Sequence, residues 1–102
     1  MNNQEIEQEI QAKGLTAPRV TMDYIDSLIV DKTYQVFYGR MTICILRLKN
    51  GYLVSGESCC VSEANFNQPL GENIAFQNAY DKIWELEGYL LRDRLMMGVG
   101  NE

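Results

Sequence analysis

From about Glu72 to Met97 the chain carries one continuous helical pattern, too long and too apolar for a chain of this size to hide. Ala75, Ala79, Ile83, Leu86, Leu90 and Met97 form a seam at helical spacing. Phe76, Tyr80, Trp84, Leu91 and Leu95 widen that seam well past a single stripe. At 1.5 Å per residue the element spans roughly 35–40 Å, longer than a three-stranded sheet can cover. Gly88 in its middle costs about 1 kcal/mol relative to alanine and allows a kink or a close helix crossing. With 102 residues the chain is expected to build one domain with a modest core, and a chain this short gains from associating with itself.

The segment before the helix reads as a sheet. Thr33 to Tyr38 is rich in Thr, Val and aromatic residues, which favour strands. Gly39-Arg40 suits a tight turn, and Met41 to Lys49 is a second strand. Asn50-Gly51 predicts a hairpin with a type I′ turn, because that turn needs positive φ at both central residues. Tyr52 to Cys59 then returns. A two-residue loop sets Lys49 opposite Tyr52, Leu48 opposite Leu53 and Leu46 opposite Ser55. One face then carries Cys44, Leu46, Leu48 and Leu53. The other carries Ile43, Ile45, Tyr52 and Val54, and both are expected to be partly covered.

Upstream, Thr21 is a plausible N-cap for a short helix from Met22 to about Val30, with Ile25, Leu28 and Ile29 on one stripe. Residues 2–13 are polar apart from Ile6 and Ile10, which suggests a frayed arm or a short docked helix ended by Gly14. Val61 to Gly71 reads as a polar loop. The expected fold is α+β: a three-stranded antiparallel meander with a short N-terminal helix and a long C-terminal helix, oligomeric. The expected organisation is a polar arm or helix over 1–18, one α+β domain over 19–97 and a frayed tail over 98–102.

Charge and residue usage exclude several functions. The formal net charge is −5, which argues against nonspecific DNA binding, since that needs a basic surface. The chain has no histidine, so Ser-His and Cys-His nucleophiles and histidine-containing metal sites are ruled out. Its three cysteines, Cys44, Cys59 and Cys60, lack zinc-ligand spacing. They read as reduced thiols of a cytoplasmic protein, used mainly as small apolar fillers. No apolar run reaches the roughly 18 residues of a membrane span, and the polar, acidic start is no secretory signal. No enzyme, cofactor or metal site is expected.

An ordered set of motifs carries a family resemblance. Arg19-Val20-Thr21, Tyr34, Thr42-Ile43-Cys44-Ile45-Leu46 and Lys49-Asn50-Gly51 are followed by Gly56-Glu57-Ser58, Cys60-Val61 and Ala64-Asn65-Phe66. Gly71, Asn78-Ala79 and Trp84-Glu85-Leu86-Glu87-Gly88-Tyr89-Leu90-Leu91 complete it. From Arg19 to Leu95 the chain resembles small phage proteins of the gene product 49/66 family. Ser62-Glu63 departs from an Asp-Pro expected in many relatives, so the loop backbone there is freer. The resemblance extends to phage type-1 Thoeris anti-defence proteins, which act as sponges. It implies a protein of the infected host's cytoplasm that binds a cyclic ADP-ribose isomer or cyclic oligonucleotide, keeps it from its effector without cleaving it, and assembles as a homodimer or larger ring.

A sponge needs an aromatic platform, amide groups for base and ribose edges, and arginine forks for phosphate. The candidates are Phe66 and Asn65 in the polar loop, Asn78 on the helix, Arg92 and Arg94 near its end, and Arg19. Each has a plainer reading. Phe66 can anchor its loop, Asn78 can bond a loop carbonyl, Arg92 and Arg94 can be a solvated helix end, and Arg19 can pair with a carboxylate. The rival function is a protein-interaction module that inhibits a host or phage enzyme, drawing on the acidic charge and the aromatic-rich helix.

Overall fold

β-branched and aromatic residues put the middle of the chain into an antiparallel meander, and the apolar seam that follows becomes one long helix. The computed structural model of the chain describes residues 2–14 and 17–98. Its elements are α1 (Asn3–Ala12), α2 (Met22–Leu28), β1 (Ile29–Phe37), β2 (Met41–Leu48), β3 (Leu53–Cys59), a 3₁₀ turn (Glu63–Asn65) and α3 (Gln68–Met96). The strands lie in the order β1-β2-β3. This is the expected α+β arrangement. Of the expected tail, all but Gly98 lies outside the described residues. The chain forms two compact units: Leu28–Ile83, and Met1–Ser27 with Trp84–Glu102.

In the Leu28–Ile83 unit, Thr42, Cys44 and Leu46 point from β2 to the buried face, with Val54 and Gly56 beside them on β3. Ala75, Ala79, Tyr80 and Ile83 are buried on α3. The helix crosses at Gly56. A Cβ placed there would overlap the backbone at Ala79 N and Ala75 O and lie 2.8 Å from the Asn78 carbonyl carbon. Two alanines one helical turn apart and one glycine let backbone meet backbone, a spacing no larger residue permits. Further along, Gly71 sits over the buried Thr42 hydroxyl, and the Ser58 hydroxyl donates to the Gly71 carbonyl at 2.8 Å.

The β2–β3 hairpin corrects the expected register by one residue. Leu46 faces Val54 and Arg47 faces Leu53. The loop has three residues. Gly51 N–H donates to Leu48 O at 2.8 Å, and Leu48 N–H donates to Tyr52 O at 2.9 Å. Only Gly51 has positive φ (89°); Asn50 does not. This is the alternative hairpin geometry, a turn followed by a left-handed glycine. Asn50 Oδ1 stabilises it by accepting from Tyr52 N–H at 2.9 Å. Because side chains alternate, the slip exchanges β3's faces. Val54 is 6 % exposed and Leu53 57 % exposed, so Val54, not Leu53, shares the buried face with Cys44 and Leu46. The paired positive φ values fall instead at the β1–β2 turn, on Tyr38 (53°) and Gly39 (62°).

α3 begins earlier than its apolar pattern. Asn67 Oδ1 accepts from Leu70 N–H at 3.0 Å, so Asn67 is the N-cap and Pro69 falls in the first turn. Proline is tolerated there because first-turn N–H groups have no intrahelical partner. The stretch read as loop up to Gly71 is therefore partly helix.

In the second unit, α1 is ordered by a capping box between Asn2 and Glu5. Glu7 on α1 accepts two bonds from Arg19, both 2.7 Å, in the fork geometry guanidinium and carboxylate share. The 2–13 segment is thus a helix tied down by an ion pair, and Ile25 on α2 is buried. Hydrogen bonds from Arg19, and then from Gln11, hold the Glu7 carboxyl down at about 2, from an ordinary 4.5. A carboxyl depressed on folding adds stability that is complete above its unfolded value and is lost as pH falls through the folded one. The Glu7–Arg19 tie is therefore expected to persist at pH 4.5 and to open toward pH 2, followed by NMR titration of the Glu7 side chain. Glu7→Gln should abolish that step. A Glu7 midpoint near 4.5 in the wild type would contradict the pairing.

Candidate functional site

The β1–β2 turn and the chain leaving β3 lie at the same end of the sheet, since Met41 pairs with Cys59. Cys60 N–H donates to Arg40 O at 3.1 Å and continues the ladder past the strands. The chain then makes its 3₁₀ turn, capped by Ser62, whose hydroxyl accepts from Ala64 N–H at 3.3 Å. Phe66 closes the turn with its N–H on Glu63 O at 3.1 Å. Asn67 starts α3 directly afterwards.

This route leaves an open pocket of about 90 Å³. Arg40, Cys59 and Cys60 line it from the sheet side, Asn65, Phe66 and Asn67 from the loop, and Leu70 and Ile74 from the first turns of α3. Phe66 is half-buried, while Asn65 and Arg40 are exposed. The Asn67 side-chain oxygen is engaged as the N-cap, so Asn65 is the amide that keeps both its oxygen and its nitrogen for a ligand. Arg40 makes one long bond, 3.4 Å, from Nη1 to Val61 O, which leaves most of its fork available. The pocket therefore brings together one ring, one amide and one guanidinium.

Two of the expected site residues, Phe66 and Asn65, line this pocket. Asn78 does not. Its Nδ2 donates to Glu57 O at 2.8 Å. The Leu48–Tyr52 and Arg40–Cys60 bonds direct the even-numbered residues of β3 toward β2, so the Glu57 carbonyl faces the free edge. Asn78 thus satisfies an edge carbonyl, the plainer of its two readings. Arg92 and Arg94 are exposed on the part of α3 that belongs to the other unit. Arg19 belongs to that unit too, and Glu7 occupies its guanidinium.

Arg40 is the residue that the sequence reading missed. The signal was present: any three-strand meander returns the β1–β2 turn to the end where β3 exits, next to the loop already singled out. Cys44 fits the filler reading, buried on β2 with its thiol pushed up by burial. Cys59 and Cys60 do not, since Cys59 is exposed and both line the pocket. Among the described residues no group of three or more Cys, Asp or Glu is arranged to hold a metal ion, and no helix is long and apolar enough to cross a membrane.

Residues 20–95 match the family described as Phage protein (N4 Gp49/phage Sf6 gene 66). No curated protein and no solved structure matches the chain.

Proposed function

Because the chain belongs to the phage protein (N4 Gp49/phage Sf6 gene 66) family, we propose that it is a phage anti-defence protein that sequesters a cyclic nucleotide signal, a cyclic ADP-ribose isomer or a cyclic oligonucleotide, without cleaving it. The observation that carries this reading is the pocket pairing Phe66 and Asn65 with Arg40. A ring stacks a base, an amide reads its edge, and a guanidinium fork takes a phosphate. Sequestration uses no nucleophile, general base or metal, so the reading is of a binder and not an enzyme.

Size refines the reading. Pockets that bury a drug-sized ligand hold roughly 300–1,000 Å³. The pocket's 90 Å³ holds a single ring or phosphate and leaves the remainder of a cyclic nucleotide at the surface. A second copy of the chain would cover it, so the protein works as a homodimer or larger ring.

The test is a thermal shift and calorimetry against cyclic ADP-ribose isomers and cyclic di- and trinucleotides, followed by heating and analysis of the released ligand. At 100 times its Kd a ligand adds about 2.7 kcal/mol, or roughly 10–20 °C in Tm for a chain of this size. Phe66→Ala removes a stack worth about 1–3 kcal/mol, and Arg40→Ala a charged hydrogen bond worth about 1.5–3 kcal/mol. Each is expected to weaken binding about fivefold or more. Arg92→Ala and Arg94→Ala, run in parallel, report whether the helix end joins the site. Ligand recovered unchanged is the expected product. Absence of response across the panel removes the sponge reading, and the enzyme-inhibiting interaction module then takes its place.

A further inference from the structure

The half of α3 in the second unit has one covered side and one bare side. Trp84, Leu91 and Leu95 are half-buried and mark the covered side. Opposite them, Tyr89 is 76 % and Met96 77 % exposed, flanked by exposed Glu85 and Arg92. A Cβ on Gly88 would have nothing within 4 Å, so the helix backbone is bare there. Glu85 and Arg92 form no ion pair with any described residue of their own chain.

These features are self-complementary. Glu85 lies N-terminal to Gly88-Tyr89 and Arg92 lies C-terminal to it, at equal distances in sequence. Turned about a two-fold axis between positions 88 and 89, the stripe meets its own copy with opposite charges aligned. We infer that this face of α3 docks against a second copy of the chain as an antiparallel helix pair. Glu85 faces the partner's Arg92, Arg92 faces the partner's Glu85, and at the axis Gly88 abuts the partner's Gly88 on one side and Tyr89 the partner's Tyr89 on the other. The interface is isologous, so every contact occurs twice. A glycine at the crossing lets the two helices approach closely, and an exposed tyrosine gains a large apolar contact at small entropic cost. The pairing does not depend on what the loop pocket binds.

Sedimentation equilibrium of the ligand-free protein tests it, because the contacts can be broken and rebuilt. The wild type is expected to dimerise. Glu85→Arg and Arg92→Glu each convert two attractive contacts into two repulsive ones and should raise the dimer dissociation constant roughly tenfold or more. The double variant Glu85→Arg/Arg92→Glu restores the alignment and should return association close to the wild-type value. A Cβ at Gly88 meets nothing within 4 Å, so Gly88→Leu should leave the monomer's circular dichroism unchanged while the copies separate. A wild type that stays monomeric at its solubility limit overturns the proposal. So does a double variant that fails to recover, or a Gly88→Leu protein that dimerises like the wild type. If a charge variant loses its fold, the Gly88→Leu result decides alone.

Discussion

Gly56→Ala is expected to be among the most damaging single-methyl changes in the protein, because the space the methyl would take is already filled by helix backbone at Ala75, Asn78 and Ala79. Overpacking a core usually costs about 1–3 kcal/mol, and it is relieved by side chains that move. Here no side chain can move, so α3 must lift from the sheet along the contact that also holds Ser58 to Gly71 and Asn78 to Glu57. A loss of about 3 kcal/mol or more follows. For a domain of this size that lowers Tm by roughly 12–24 °C. Urea unfolding of the variant against wild type measures it. A loss under about 1 kcal/mol would mean that the helix does not sit on Gly56 as described. The consequence reaches function, because the loop carrying Phe66 is held between β3 and the start of α3.

Leu46→Ala and Leu53→Ala are expected to differ sharply although both remove the same atoms. Leu46 is fully buried on β2, while Leu53 on β3 is 57 % exposed. Truncating a buried leucine costs about 2–5 kcal/mol, from lost transfer energy and the cavity left behind. A surface truncation usually stays within about 0.5 kcal/mol. The pair is a register test. Under the two-residue turn at Asn50-Gly51, Leu46 and Leu53 would share the buried face and both substitutions would be severe. Under the observed three-residue loop only Leu46→Ala is severe. Comparable losses in the two variants would restore the other register.

That hairpin shows where sequence reasoning stops. The existence of the turn, the strands either side and the shared face of Cys44, Leu46 and Leu48 were all readable, because they rest on local propensity and strict alternation. The register was not. Asn50-Gly51 suits two turns of nearly equal local cost, one with two positive φ values and one with a single left-handed glycine. The choice between them came from β3 as a whole: in the observed register Val54 and Gly56, not Leu53 and Ser55, meet the helix. Gly56 must be the residue under Ala75 and Ala79, since no other residue of β3 leaves room for backbone contact.

The candidate site divides in the same way. Phe66 and Asn65 were legible from an aromatic residue among amides in a polar loop, and the pocket contains both. Asn78 was legible as a polar helix residue able to bond a carbonyl, but not which carbonyl. Its role on the edge carbonyl of Glu57 depends on which β3 groups face outward, which again is register. Arg19 was legible as a cation able to pair with a carboxylate; that the carboxylate is Glu7 needed α1.

By itself the sequence determined what depends on residues near one another in the chain: the meander, the long helix, the cap at Thr21, and the absence of histidine chemistry. The tertiary structure alone decided which face of β3 is inside, that Arg40 joins the Phe66 loop, and that Arg19 is taken by Glu7. Each of these is a contact between segments far apart in sequence. Local preferences leave such contacts nearly degenerate, and for β3 it is the packing of α3 on Gly56 that separates them.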